Sequence, residues 1–189
     1  RLVQVNHPLG MKVDAVLIEN DGKDEWAEGV DVERDPFALA PEEIVKAVQD
    51  AGIVGMGGAT FPTHVKLSPP TDKPIDTVIL NGVECEPYLT CDYRMMLESP
   101  ETIVKGLQLV LKAVGAKRGI VGIEANKPDA FETMKKAMQT ADPSLEAALL
   151  PVMYPQGGEK QLIYACLRRE VPSGGLPMDN GVVVQNVQT

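Results

Sequence analysis

The sequence predicts an α/β fold: a mostly parallel sheet with helices on both faces and a glycine-rich loop that follows a helix. Three observations predict it. Short β-branched apolar runs alternate with amphipathic stretches of helical length. Prolines and glycines fall at the ends of those stretches, where helices start and stop. With 189 residues, 44% of them apolar but only three Phe and one Trp, the chain can bury one sizeable core packed from aliphatic side chains.

In chain order, residues 1–25 hold Val13, Ala15 and Leu17 at alternating positions, then a Glu19-Asn-Asp-Gly22 turn signal. This is the pattern of a β segment set apart from a main domain over residues 26–189. Pro41 can take the first helical position, Ile44, Val45 and Val48 share a face, and Gly52 closes that helix. Asp76 to Leu80 is a short β-branched run, as in a buried strand. A helix can start over Asp92 to Leu97. Ser99 then offers an N-cap with Pro100 just inside, and Ile103, Val104, Leu107, Val110, Leu111 and Val114 form a stripe ended by Gly115. Gly119 to Glu124 reads as the next strand, and Pro128-Asp129 opens a helix carrying Phe131, Met134 and Met138. A strand near Ala148 to Met153, a helix from about Glu159 to Arg169 and a strand-like run from Gly181 follow. Alternation of this kind favours parallel neighbours.

Two segments carry the functional signal. The stretch from Gly52 to Lys66 holds Gly52, Gly55, Gly57 and Gly58 and ends in Pro62 and Lys66. Lacking Cβ, glycines let backbone N–H groups approach an anion or a flat ring, and Lys66 can add positive charge against a phosphate. A ligand-free surface loop has the same composition. The stretch is neither a dinucleotide fingerprint, which follows a strand, nor a P-loop, which needs Gly-Lys-Ser/Thr; here the glycines begin where a helix ends. The second segment, Asn81-Gly-Val-Glu-Cys-Glu-Pro87, continues directly from the Asp76 to Leu80 strand. The carboxyl ends of parallel strands are where open α/β sheets bind ligands. Asn81 can bond the edge of a heteroaromatic ring, and Glu84 and Glu86 can hold ribose hydroxyls or fix a carboxamide. A turn with solvated acids fits the same residues.

Together, Gly55-Met-Gly-Gly-Ala-Thr-Phe-Pro-Thr-His-Val-Lys66 and Asn81 to Pro87 resemble the flavin-binding subunit family that includes the 51 kDa subunit of respiratory NADH dehydrogenase. Glu84-Cys-Glu-Pro-Tyr-Leu-Thr-Cys-Asp-Tyr-Arg-Met-Met96 is similar to the branch formed by the C-subunit of the Rnf electron transport complex. The resemblance runs from about Asp14 to the last residue and implies a module for FMN and NADH. By it, Gly55, Gly57, Gly58 and Ala59 match the loop that wraps the FMN phosphate and ribityl chain, and Lys66 the lysine that closes it. Asn81 and Glu84 match residues beside the isoalloxazine, Glu86 an acid associated with the incoming nicotinamide nucleotide, and Phe61 an aromatic that stacks on it. Tyr154-Pro-Gln-Gly-Gly-Glu159 is similar to a glycine-glutamate turn facing the flavin, which brings in Gly158 and Glu159. Gln185-Asn186-Val-Gln-Thr189 is similar to an Asn-Val-Glu-Thr element and brings in Asn186. Met56 replaces the arginine and Val83 the aspartate of the 51 kDa relatives, which favours the Rnf-like branch, and Lys160 replaces a second glutamate after Glu159.

The resemblance further implies hydride transfer from NADH to FMN, then single electrons to iron-sulfur clusters. It implies ferredoxin or another iron-sulfur carrier, and membrane subunits that couple the flow to ion movement. The chain would lie peripherally on the cytoplasmic side of the bacterial inner membrane. In the family a barrel-like domain precedes this region, with residues 1–25 as its tail, and β-grasp and cluster domains follow. Because the chain starts at Arg1 and stops just after an apolar run, it is expected to be an excised domain, with iron-sulfur ligands only in an absent C-terminal part. A cobalamin-reductase-type flavoprotein, a 51 kDa-like subunit of a soluble dehydrogenase or hydrogenase, and a non-catalytic nucleotide-binding or assembly module share the layout.

Composition excludes other classes. A net charge of −9 without a basic cluster argues against nucleic acid, and Lys135-Lys136 and Arg168-Arg169 are isolated pairs on helix faces. No run approaches the roughly 20 apolar residues of a membrane span, and no signal-peptide pattern opens the chain, so a soluble chain is expected. Cys85, Cys91 and Cys166 form no C-x-x-C pair, so no zinc or iron-sulfur motif and no metal site is expected. Cys166 reads as core and Cys85 as a small residue in the site. His7 and His64 are the only histidines and no nucleophile elbow is present. No catalytic side chain is expected, since the cofactors carry hydride chemistry.

Overall fold

The computed structural model describes residues 1–30, 32 and 34–189 and divides into two compact units, Arg1–Arg34 and Asp35–Thr189. In the first unit, β1 (Leu2–Asn6) and β2 (Lys12–Val16) form an antiparallel hairpin with Leu2 opposite Val16. Val13 and Ala15 alternate inward as expected, but Leu17 lies beyond the strand. The hairpin turns through His7 to Met11, where His7 accepts from Gly10 and donates to Met11, rather than at Glu19 to Gly22.

In the second unit, α1 (Pro41–Asp50) starts with Pro41 in its first turn and with the Glu43 carboxylate accepting from the Ala40 N–H at 2.7 Å. The rest follows as α2 (Thr63–Lys66), β3 (Thr77–Gly82), α3 (Cys91–Glu98), α4 (Pro100–Val114), β4 (Arg118–Glu124), α5 (Pro128–Ala141), β5 (Glu146–Leu150), α6 (Glu159–Leu167) and β6 (Val182–Asn186), with a 3-10 turn over Pro177–Asn180. All four strands pair in parallel, in the spatial order β5-β4-β3-β6.

Thr77-Val-Ile-Leu80 is buried throughout, which requires cover on both faces of the sheet. Successive side chains point to opposite faces. Val78 and Leu80, with Val121, Ile123 and Val183, pack toward α3, α4 and α5 around Met96, Leu107, Met134 and Met138. Ile79, with Val182 and Val184, packs toward Leu162 and Ile163 of α6. The expected doubly covered parallel sheet is what forms.

Element boundaries differ from the expected ones where local chemistry decides them. The strand β5 ends at Leu150 instead of reaching Met153, because Pro151 has no N–H to continue the ladder. Helix α6 ends at Leu167 because Arg168 takes a left-handed conformation, φ 57°, with its guanidinium over the Tyr164 ring. Strand β3 runs on through Asn81 and Gly82, so the second motif begins inside the strand. The one-turn α2 is too short for helical periodicity to mark it in the sequence.

At the sheet's amino end, Arg118 donates to both carboxylate oxygens of Glu146 (2.7 and 3.0 Å), joining β4 to β5, and Arg169 donates to both oxygens of Asp76 (2.9 Å). The Arg118 hydrogen bond, helped by its charge, holds the Glu146 carboxyl below its ordinary value against the opposing effect of burial. For Asp76 burial pushes upward, but Thr77, Arg169 and Arg118 outweigh it and the net shift is downward. Carboxylates lowered on folding add stability above their unfolded values that is lost as pH falls through the folded ones. Equilibrium denaturation should therefore show stability falling as pH drops below about 4.5, the ordinary glutamate value. Glu146→Gln should flatten part of that acid slope while costing at most about 1 kcal/mol at neutral pH, because the pair is half exposed and solvent-screened.

Candidate functional site

Strands β4 and β5 step outward from one side of β3, and β6 returns to its other side, so the strand order reverses between β3 and β6. Such a reversal opens a crevice at the carboxyl ends of the strands, because the connections leave in opposite directions. Asn81 and Asn186 sit opposite each other in register at that point. A cleft of about 490 Å³ opens there, within the roughly 300–1,000 Å³ of small-molecule sites. Its walls are the glycine loop, β6, the turn ahead of α6 and the segment Leu176–Met178. Of the residues singled out in the sequence, Gly55, Gly57, Ala59, Phe61, Lys66, Asn81, Gly158, Glu159 and Asn186 line it together.

The glycine loop is stapled at its base and open at its tip. Val54 bridges Pro62, Gly55 donates its N–H to Phe61 O at 2.8 Å, and Thr63 donates to Ile53 O at 3.1 Å. The Met56 N–H donates to Thr189 Oγ1 at 2.9 Å, tying the loop to the segment after β6. Gly58 sits at φ +113°, a region only glycine occupies without strain. Among the described residues, no protein acceptor takes the N–H groups of Gly57, Gly58, Ala59 or Thr60. Unpaired successive N–H groups of this kind can donate hydrogen bonds to an anion from the backbone.

Lys66, at the end of α2, projects its ammonium to Glu159 Oε1 and to Val184 O, both at 2.9 Å. The cation expected to meet a phosphate is thus held at the outer edge of β6 by the acid that opens α6. Asn81 donates Nδ2 to Gly157 O at 2.9 Å and accepts from the Val83 N–H at 3.1 Å, so its amide fixes the turn ahead of α6. That turn lies hard against the second motif: a Cβ on Gly157 would stand 2.6 Å from Val83 O. In the sequence Gly157 is simply one member of the turn, because the backbone that crowds it belongs to a segment far along the chain.

Glu84 and Glu86 lie elsewhere. Glu84 is buried and accepts from the N–H groups of Asp92 (2.9 Å) and Tyr93 (3.3 Å) and from the Cys91 thiol. It caps α3, whose first-turn N–H groups otherwise lack acceptors. Its side chain lines a second hollow of about 570 Å³ with Glu86, Tyr93, Lys127 and Tyr154, not the cleft. Glu86 is exposed there and accepts from the Tyr154 hydroxyl at 3.0 Å. Residues 152–154 line the hollow and Gly157 to Glu159 the cleft, so one turn serves both.

Asp92 reads in the sequence only as part of a helix start, since an acid in a first turn ordinarily complements the helix dipole. It is buried and accepts from Asn186 Nδ2 at 2.8 Å and Gln188 Nε2 at 2.6 Å. Burial pushes its carboxyl above the ordinary value and Glu84 adds to this, against the two amide bonds and Lys127. Asn186 in turn accepts at Oδ1 from the Gln188 N–H, at 2.9 Å, so both ends of its amide are engaged. Glu84, Cys91 and Asp92 bring one ligand-type atom each within 4.8 Å of one another. The carboxylates among them already accept N–H donors, an arrangement of caps and clasps. The half-buried Cys166 thiol is pushed up to about 11 by burial, away from the range of a reactive thiolate.

Residues 48–189 match the family described as the Nuo51 FMN-binding domain. The chain is 54% identical over 183 residues to the C-subunit of a proton-translocating ferredoxin:NAD(+) oxidoreductase complex from Clostridium ljungdahlii. It is 51% identical over 187 residues to the C-subunit of the Na(+)-translocating complex from Acetobacterium woodii. These matches cover 97% of this chain and span only 40% and 41% of the two relatives. Among solved structures, an NAD+-reducing [NiFe]-hydrogenase in the air-oxidized state superposes with a TM-score of 0.68 at 29% identity, covering 78% of this chain and 29% of that one.

Substitutions at three positions test how the site is built. Glu84→Ala should lower stability in chemical denaturation by about 1–3 kcal/mol, because it leaves buried N–H groups of α3 without an acceptor, and Glu84→Gln by less. Gly157→Ala should be more disruptive than Gly57→Ala, since the added methyl meets backbone at 2.6 Å in the first case and only Asn186 Cβ at 3.4 Å in the second. Thermal unfolding of the two variants gives the comparison.

Proposed function

We propose, from the premise that this chain belongs to the Nuo51 FMN-binding domain family, that the cleft between β3 and β6 holds FMN and that the chain is the NADH-oxidising module of an ion-translocating NADH:ferredoxin oxidoreductase. The observation that carries the reading is the open glycine loop at the strand reversal: among the described residues no protein acceptor takes its Gly57 to Thr60 N–H groups, and Gly57, Ala59 and Thr60 line the cleft together with Lys66. The residues fit the cofactor. The left-handed Gly58 and the absence of a Cβ at Gly57 leave room for a phosphate against backbone donors, and the lysine supplies the charge. The cleft has the volume of a nucleotide-sized site.

In this reading Gly55, Gly57, Gly58 and Ala59 hold the phosphate end, and Lys66 neutralises it by exchanging its Glu159 partner for the phosphate. Asn81, Gly158, Glu159 and Asn186 shape the wall for the flavin. When bound, FMN supplies the chemistry, accepting a hydride equivalent and releasing electrons singly. Phe61, half exposed at the cleft mouth, is placed to stack on an incoming NADH, and Glu86 to meet it from the hollow across the shared turn. Glu84 enters as the cap that positions this motif. Electrons would pass to iron-sulfur clusters and ferredoxin through other parts of the complex, whose membrane subunits would hold this module on the cytoplasmic face. Among the described residues no helix is long and apolar enough to cross a membrane. Residues 1–25 would be the tail of a preceding barrel-like domain, with 26–189 as the FMN and NADH domain, whereas the compact units divide between Arg34 and Asp35.

Purified chain titrated with FMN should quench flavin fluorescence at one FMN per chain, and NADH should then bleach the bound flavin. Gly57→Val should abolish flavin retention, whereas Glu86→Gln should spare it and slow reduction by NADH. Equal flavin loss in the two variants would contradict this division of roles. Lys66→Gln should weaken FMN more than riboflavin, by about 10-fold if the lysine meets the phosphate.

A further inference from the structure

Three segments around the cleft, the Asn81 to Pro87 motif, the turn after β6 and the glycine loop, are far apart in sequence, and one carboxylate joins them. Asp92 accepts from Asn186 Nδ2 at 2.8 Å and from Gln188 Nε2 at 2.6 Å, holding the turn that follows β6. That turn closes on itself through Gln188 N–H to Asn186 Oδ1 and Thr189 N–H to Asn186 O, at 2.9 and 3.0 Å, and is anchored to β3 by Val187 N–H to Asn81 O. Its last residue, Thr189, accepts the Met56 N–H of the glycine loop, and Gly57 rests on Asn186, whose Cβ would stand only 3.4 Å from a Cβ added there. Glu84 seats Asp92 by accepting its N–H. A continuous set of hydrogen bonds therefore runs from the second motif, through Asp92, to the first.

We propose that Asp92 is the positioning residue of the cleft: its carboxylate clasps the Asn186–Thr189 turn and through it holds the glycine loop in the conformation that presents its free N–H groups. This rests on the reading of the cleft as an FMN site. The clasp needs two acceptors on one side chain, because both partners are N–H donors. Asparagine is nearly the same size but carries one acceptor and one donor group, so one amide would face another. The groups around the carboxylate are Glu84, Cys91 and Tyr93 of the α3 entry, Lys127 ahead of α5, and the two amides. Among the described residues, none of the neighbours other than Asn186 and Gln188 donates to it from a side chain.

The experiment pairs hydrogen exchange of the Gly55–Phe61 segment, measured on the full chain without FMN, with FMN affinity. Asp92→Asn should speed exchange at the Met56 amide and weaken FMN by about 10- to 100-fold, the range for a lost hydrogen bond to a buried charge. Asp92→Asn combined with Gln188→Glu reverses donor and acceptor across the same contact and should restore both readouts. A merely structural role for Asp92 would not give that rescue. Unchanged exchange and affinity in Asp92→Asn, or a double variant no better than the single, overturns the proposal. Should Asp92→Asn fail to fold, Gln188→Leu removes one arm alone and must still speed Met56 exchange, or the clasp is wrong. If the unsubstituted chain binds no FMN, the function proposed above falls. The clasp is then upheld or overturned by the exchange measurements on the same variants.

Discussion

Everything at this site depends on the parallel pairing of β6 with β3 on the side away from β4. Because β6 enters last and on the opposite side, Asn81 and Asn186 meet in register at the carboxyl ends, and the two connections diverge to leave the cleft. The pairing is held by apolar burial on both faces, with Val183 on one side and Val182 and Val184 on the other. Among the described residues, the outer edge of β6 stays free of a further strand. There Lys66 donates to the Val184 carbonyl, and the glycine loop lines the cleft together with β6.

The polar residues around the cleft divide their work in a consistent way. Side chains with the chemistry of ligand contacts are largely occupied with one another: Asn81 with the Gly157 turn, Asn186 with Asp92, Lys66 with Glu159, Glu84 with the α3 entry. Among the described residues, the Gly57 to Thr60 N–H groups of the glycine loop have no protein acceptor, and of the buried side-chain polar atoms only Thr63 Oγ1, Asn180 Nδ2 and Gln185 Nε2 lack a partner. A buried polar group left without a partner is costly, so most side chains in a partly enclosed wall find partners within the protein. Backbone donors at an exposed tip can meet water until a ligand replaces it.

Local patterns make most of the fold legible. β-branched runs such as Thr77 to Leu80 mark strands buried on both faces, and Pro41, Pro100 and Pro128 mark helix starts. Element ends are less legible where a single residue decides them, as Pro151 does for β5 and Arg168 for α6. The hairpin turn at His7 to Met11 escapes a reading by composition because Glu19-Asn-Asp-Gly22 carries the stronger turn signal. Within the site, the glycine loop and the Asn81 to Pro87 motif stand out because glycine density and acids at a strand end are unusual locally. Asp92 does not, since an acid in the first turn of a helix is ordinary and its partners lie more than 90 residues away, at Asn186 and Gln188.

From the sequence alone come the alternating α/β class, the family resemblance and the two motifs, because propensity, periodicity and short-range spacing are local properties. Tertiary structure alone decides that β6 lies beside β3, that Lys66 is paired with Glu159, that Glu84 caps a helix outside the cleft, and that Asp92 joins the motifs. The reason is physical. Which side of the sheet a late strand joins, and which donor a buried carboxylate finds there, depend on how separate elements bury their apolar faces together, and no short stretch of chain contains that information.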